Sequence, residues 1–219
     1  MRADPFERAL TRSERRTLAT LTSPAAIQEF LDQTRYSTED IYRGPLRVLQ
    51  ERRAHCFDGA VFAAAALRRL GFPPLVLELV PNERDDDHLI ALYRREGLWG
   101  AVAKSNFVGL RFREPLFRNL RELVLSYFEQ FFNVEGEKTL RAYTLPLDLA
   151  RFDILGWTVQ DGVMDLIAEA LDRKRRISVI SEKAVRRLSL ADERSRRAGL
   201  MGADEAGLFK VDKKKGAPP

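Results

Sequence analysis

The segment from residue 54 to residue 105 contains the pattern that most restricts what this chain can fold into. Its first part, 54–70, is apolar and rich in alanine, and it predicts a helix against which neighbouring elements pack closely. Gly71 is a natural residue for the position just after a helix, and Pro73 and Pro74 prevent the helix from continuing. The sequence therefore fixes where this helix stops and where an extended segment can begin.

Three strands are predicted directly after this helix. Residues 75–80 are apolar and β-branched enough for a central strand, and 88–94 and 98–105 follow as a pair. Glu96 and Gly97 form a tight turn between the two members of that pair, which is typical of an antiparallel hairpin. A helix followed by three strands in this order predicts an α+β domain in which the helix packs on an antiparallel sheet.

The turn also predicts the register of the hairpin. If Glu96 and Gly97 occupy the two turn positions, Arg95 lies opposite Leu98, and the same alignment carried back along the strands places His88 opposite Ser105. A change of one residue in the turn would alter these pairs and exchange the two faces of the sheet.

The remaining elements are predicted from apolar periodicity and capping residues, for example Ser23 before Pro24 at the start of a helix. Helices are predicted over 6–21, 24–33, 120–132 and 157–171, and strands over 138–149 and 177–180.

Charge is distributed unevenly along the chain. Residues 173–219 contain 14 Lys and Arg residues against six Asp and Glu, a net charge of +8, whereas the whole chain carries +5. We therefore predict one domain over 1–181, with N-terminal helices and C-terminal additions, and a basic, partly disordered tail over 182–219. Because the basic charge belongs to the tail, nucleic acid is not predicted as a partner of the body, and only weak tail contacts remain open.

Cysteine content and hydropathy point to a cytoplasmic protein. The single cysteine excludes an internal disulfide and fits a reducing compartment. No apolar run approaches the roughly 20 residues that a membrane-spanning helix requires, so no membrane partner is predicted.

The single cysteine, Cys56, opens the predicted helix, and His88 begins a later strand. This layout is typical of a thiol nucleophile and its base, because a helix N-terminus favours a negative sulfur and an imidazole can accept the thiol proton. The alternative is an ordinary small apolar cysteine beside a solvated histidine. His55, Cys56, Asp58 and His88 show no diagnostic metal-ligand spacing, so neither a metal nor a cofactor is predicted.

The stretch from Arg53 to Asn106 resembles the core of the transglutaminase-like superfamily, which belongs to the papain-like cysteine folds. The residues that match its pattern are Cys56, Ala60, Ala63, Ala64, Leu67, Arg68, Gly71, Phe72, Pro73, His88, Trp99 and Val102. The resemblance implies a Cys-bearing helix on an antiparallel sheet, with a helical N-terminal segment and extra C-terminal helices. It also implies Cys56 as nucleophile and His88 as base.

The chain departs from the family where an aspartate normally orients the histidine. The aligned residue is Ala103, and no carboxylate follows it nearby. Asn106 is the predicted substitute, because an amide oxygen accepts the same hydrogen bond in papain-like enzymes, and Ser105 is the alternative. Gln50, six residues before Cys56, occupies the spacing at which papain-like enzymes place an oxyanion-stabilising glutamine.

Two functions follow from this resemblance. The first is a cysteine amide hydrolase or acyltransferase that acts on a peptide or amide substrate, with hydrolysis favoured over protein crosslinking. The second is a catalytically degenerate member of the same fold that binds or scaffolds a protein partner, which the missing aspartate supports.

Overall fold

The computed structural model describes residues 5–210, and within them the chain is a mixture of helices and antiparallel sheet. The predicted α+β class is therefore confirmed. The predicted fraying of Lys213–Pro219 lies outside the described residues.

Short N-terminal helices precede the long cysteine helix, and most of the strands follow it. The helices are α1 Pro5–Ala9, α2 Arg12–Thr20, α3 Pro24–Asp32, α4 Pro45–Glu51, α5 Cys56–Arg69, α6 Leu120–Leu125, α7 Val163–Asp172, α8 Glu182–Val185 and α9 Glu193–Gly199. The strands are β1 Arg35–Tyr36, β2 Arg53–Ala54, β3 Leu75–Pro81, β4 His88–Arg95, β5 Leu98–Val102, β6 Arg113–Phe117, β7 Leu140–Thr144, β8 Leu147–Asp148 and β9 Arg176–Ser178.

The main sheet has the order β6-β5-β4-β3-β7-β9, with β8 paired beside β3, and its neighbouring strands are antiparallel. Side chains alternate between its two faces, as the strand geometry requires. Val76, Leu89 and Ala91 pack on the face that carries α5, whereas Leu77 and Ile90 pack into a second core on the opposite face. The sheet is thus buried on both sides, with α5 fixed against its centre.

The predicted hairpin register is confirmed. Arg95 pairs with Leu98, and the ladder runs back to Ala91 opposite Val102. Glu96 and Gly97 both have positive φ, 52° and 81°, which is the backbone of a type I′ turn. Strand β5 ends at Val102, so the regular pairing stops before it reaches His88.

Helix α5 begins one residue after His55, whose side chain caps it by accepting a hydrogen bond from the Phe57 backbone N–H at 3.2 Å. The predicted alanine-rich stretch is completely buried. The chain after β5 passes very close to the helix at Gly59, where an added Cβ would lie 2.2 Å from the Cβ of Lys104. Only glycine permits this approach, which brings the segment after β5 to the first turn of α5.

Several boundaries differ from the sequence prediction because local caps interrupt the apolar periodicity. The helix predicted over 6–21 is two helices, since Thr11 and Glu14 form a capping box that starts α2 anew. The helix predicted over 120–132 ends at Leu125 and continues as a short 3-10 turn. Strand β6 was not predicted, because its sequence is charged and contains a proline.

Residues 182–210 run back across the body of the molecule. Gly199 is buried against the ring of Phe132, and Gly207 lies against the ring of Tyr36. The tail boundary at residue 182 stays a prediction, but part of the segment it assigns to the tail contacts residues around the cysteine.

Candidate active site

Cys56 is the first residue of α5, and its side chain is half-buried. Its thiol donates to the backbone carbonyl of Asp87, with Sγ and O 3.7 Å apart. Burial raises the pKa of Cys56 to about 12, and the negative charge of Asp86 acts in the same direction. The thiol is therefore protonated at neutral pH, although it sits at a helix N-terminus that by itself would favour the thiolate.

His88 begins β4, and its ring is buried, with 4% of the residue exposed. Its Nε2 atom lies 2.7 Å from the backbone carbonyl oxygen of Leu110, at the end of a short 3-10 turn. Burial lowers the pKa of His88 to about 4, and the Leu110 carbonyl only partly opposes this. The imidazole is neutral at neutral pH.

The Leu110 contact decides the tautomer of His88. A carbonyl oxygen only accepts hydrogen bonds, so Nε2 must carry the proton. Nδ1 then has the free lone pair, and among the described residues no hydrogen bond to Nδ1 is found. Nδ1 is therefore the ring nitrogen that can accept a proton.

Cys56 and His88 line the same small cavity, of about 50 Å³. Ser105 and Asn106 line it as well, so the structure brings four of the five predicted site residues together. The cavity connects the thiol and the imidazole with the segment that follows β5.

The structure shows no hydrogen bond between His88 and either predicted orienting residue, Asn106 or Ser105. Both amide atoms of Asn106 are used by the backbone of Asp204, which accepts from Nδ2 and donates to Oδ1, each at 2.8 Å. The Ser105 hydroxyl accepts from the Phe107 N–H at 2.9 Å. The hydrogen-bond partner of His88 is instead the Leu110 carbonyl.

The structure does not bring Gln50 to the cysteine. Gln50 lies on the exposed face of α4, where its amide donates to Glu14 at 3.0 Å. It does not line either cavity at Cys56. Sequence spacing alone cannot place a side chain here, because Arg52 adopts a left-handed conformation and turns the chain between α4 and α5.

A network of ionic groups around Asp58 and Arg43 stabilises the start of α5. The Asp58 carboxylate accepts from the backbone N–H of Arg43 at 2.8 Å and from that of His55 at 3.3 Å. The Arg43 guanidinium is 1% exposed and bonds Glu39 and Glu51. His55 caps the helix, and its Nε2 atom lies 3.2 Å from the Ile41 carbonyl oxygen.

A second, larger cavity of about 390 Å³ opens on the other side of Cys56. Acidic side chains dominate its polar lining, and among them Glu78 projects from the centre of β3. Residues 206–209 of the C-terminal segment line this cavity, and Gly207 and Phe209 also line the small one. The C-terminal segment therefore crosses the candidate site.

Two residues of the candidate site, Leu110 and Glu78, were not predicted from the sequence. Leu110 acts through a backbone carbonyl, which carries no side-chain signal. Glu78 did leave a signal, since a charged residue interrupts the otherwise apolar strand 75–80.

Comparisons with known proteins give only a distant structural likeness. No protein-family model and no curated protein matches the chain. Among solved structures the chain is similar to Legionella pneumophila LapG, with 13% identity and a TM-score of 0.36 over 48% of this chain and 70% of that one. A structure of EGTA-treated Legionella pneumophila LapG gives 10% identity and a TM-score of 0.41 over 72% and 92%. Both TM-scores lie below 0.5, so the likeness is weak.

Residues 5–210 contain neither a metal-binding cluster nor a membrane-spanning helix. No group of three or more His, Cys, Asp and Glu side chains there is arranged to hold a metal ion. No helix in the same range has the length and apolar character needed to cross a bilayer.

Proposed function

We propose that this chain is a transglutaminase-like cysteine hydrolase or acyltransferase acting on peptide amides, with Cys56 as nucleophile and His88 as base. The observation that carries the proposal is the Leu110 contact in the cavity shared by Cys56 and His88. It holds His88 in the tautomer whose Nδ1 can accept a proton.

The proposed reaction passes the thiol proton through Nδ1 of His88. The Cys56 sulfur attacks the substrate carbonyl carbon while its proton moves to Nδ1. The tetrahedral intermediate collapses, the C–N bond breaks, and the amine leaves with that proton, which gives a thioester on Cys56. Water or a second amine then attacks the thioester and regenerates the thiol. The His55 side chain caps the N–H groups of Phe57 and Asp58. The backbone N–H of Cys56 is the donor of the first turn that remains for the oxyanion.

The resting pair is neutral rather than a thiolate–imidazolium pair. The pKa of Cys56 is raised to about 12 and that of His88 is lowered to about 4, in both cases mainly by burial. The Leu110 carbonyl fixes the tautomer of His88 but stabilises its protonated form less than a carboxylate would. Proton transfer must therefore accompany attack, and turnover should be slower than in members of the fold that keep the aspartate.

The second candidate is a binding or scaffolding module of the same fold. Two observations favour it: Cys56 and His88 are both neutral at neutral pH, and C-terminal residues 206–209 line the cavities at Cys56. In that function the cleft holds a peptide without cleaving it.

One experiment distinguishes the two candidates. The full chain and its Cys56→Ala and His88→Ala variants are incubated with a peptide mixture, and new peptide termini or amine adducts are identified by mass spectrometry. If the chain is an enzyme, the wild type yields products that are absent with Cys56→Ala and with His88→Ala. The control Glu83→Gln, which changes an exposed residue away from the cavities, still yields them. Products that persist in Cys56→Ala would refute Cys56 as nucleophile. A folded wild-type chain that yields no products would refute the enzyme and support the binding module.

A further inference from the structure

We infer that the larger cavity beside Cys56 is a subsite for a cationic side chain, lysine or arginine, of the peptide substrate. This inference rests on the proposed function and names the substrate class of the same site.

The charge of the cavity lining is the first observation. Carboxyl groups of Glu39, Asp40, Glu78, Asp86 and Asp87 line it, and no lysine or arginine is among the described residues that do so. Glu39 is bound by two arginines, but the other four have no ion pair among the described residues. The volume of about 390 Å³ lies within the range of about 300–1,000 Å³ that is common for ligand pockets.

Glu78 supplies the second, independent observation. The residue is 5% exposed, and its Oε2 atom has no hydrogen-bond partner among the described residues. A buried acceptor without a partner costs free energy, so such a group needs a compensating role. Burial raises the pKa of Glu78 to about 8, and the neighbouring Asp87 carboxyl adds to this, against the smaller opposing effect of Arg176. A cation placed in the cavity would pair with the Glu78 carboxyl group and favour its ionised form.

The apolar part of the lining favours an organic cation over a metal ion. Tyr36, Tyr42, Phe57 and Leu171 line the same cavity, and they fit the methylene stem and the charged end of a lysine or arginine side chain. No metal-holding group of three or more acidic, histidine or cysteine side chains occurs within residues 5–210.

The C-terminal segment shows that a peptide backbone fits along the cavity. Residues 206–209 line it, and Leu208 is extended, with φ −85° and ψ 135°. Gly207 packs so tightly on Tyr36 that an added Cβ would lie 2.6 Å from the ring. The C-terminal segment thus forms one wall of the cavity.

The test measures binding and needs no turnover. The affinity of the full chain for Nα-acetyl-lysine amide is compared by ligand-observed NMR with that for Nα-acetyl-norleucine amide, which has a similar side chain without the charge. We expect lysine to bind at least about tenfold more tightly, because its cation favours the ionised form of Glu78 and makes a charge-assisted bond that norleucine cannot make. Glu78→Gln should remove most of this preference, whereas Glu83→Gln, with the same change of charge on an exposed residue outside the cavity, should retain it.

Each outcome decides the inference. Equal affinities for the two amides would overturn the inference. A lysine preference that is unchanged in both Glu78→Gln and Asp87→Asn would also overturn it. If Glu78→Gln does not fold, Asp87→Asn alone provides the test. Alaninamide, which carries only a free α-amine, must bind more weakly than the lysine derivative, or the cation is not a side chain. A lysine preference without any peptide cleavage would support the subsite and refute the proposed hydrolase, while cleavage without a lysine preference would do the reverse.

Discussion

The thiol of Cys56 shows how burial can outweigh a helix N-terminus. The first turn of α5 favours a thiolate, but the half-buried site and the charges of Asp86 and Asp87 raise the pKa of Cys56 to about 12. The pKa of His88 is lowered by burial to about 4, so the imidazole is neutral and the thiol keeps its proton.

The reactivity of Cys56 toward iodoacetamide should reflect this raised pKa. We expect labelling at pH 7 at least about tenfold slower than for a free thiol, whose pKa is about 8.5. The rate should rise steadily from pH 6 to pH 10, because only the thiolate reacts. Intact-mass spectrometry reads the label without ambiguity, since the chain has one cysteine, and the urea-unfolded chain serves as control. A rate that is already constant at pH 6 would show an ion pair instead.

At the scale of elements, the start of α5 depends on one close approach. The segment after β5 passes Gly59 so closely that Lys104 would meet any side chain there, and the Lys104 ammonium is buried and donates to the Leu31 carbonyl at 2.8 Å. This crossing places Ser105 and Asn106 at the cavity of Cys56.

Gly59→Ala should therefore destabilise the fold. We expect the free energy of unfolding to fall by about 1–3 kcal/mol, the range of overpacked cores, because the Cβ atoms would be 2.2 Å apart. Chemical denaturation followed by circular dichroism measures it. Gly162→Ala is the matched control, since no heavy atom lies within 4 Å of its added Cβ. Equal free energies of unfolding for the two variants would show that the segment after β5 does not pack tightly against Gly59.

The hairpin and the cysteine helix could be predicted from the sequence because their determinants are local. Glu96 and Gly97 fix the turn, and Gly71 stops the helix. The details of the site depend on contacts between distant segments, and so they could not be predicted. Asn106 has the right chemistry to hold His88, but Asp204, 98 residues later, uses both of its amide atoms.

At the scale of the whole molecule, the C-terminal segment connects the end of the chain to the candidate site. Its charge excess indicated a peripheral tail, yet Asp204 and Gly207 dock on Asn106 and Tyr36. Amino-acid composition does not predict this docking, because it depends on two hydrogen bonds to the Asp204 backbone and on a glycine rather than on apolar side chains.

Removal of residues 200–219 should therefore expose Cys56 and cost stability. Two hydrogen bonds of about 1 kcal/mol each are lost, so we expect the melting temperature to fall by roughly 4–8 °C, together with faster iodoacetamide labelling. A chain ending at Lys210 is the control, because it keeps Asp204 and Gly207 and should behave like the full chain. An unchanged melting temperature and labelling rate after the longer truncation would show that the segment does not cover the site.

The central claim is that His88 is held as a neutral base with its proton on Nε2, so that Nδ1 is free for the thiol of Cys56. Long-range ¹H–¹⁵N NMR of the histidine rings tests this directly. The chain has only two histidines, and a His55→Gln variant assigns the spectrum. We predict the Nε2–H tautomer of His88, with no protonation between pH 8 and pH 5, because its pKa is lowered to about 4. An Nδ1–H tautomer, or a ring that titrates near the ordinary value of about 6.5, would contradict the account.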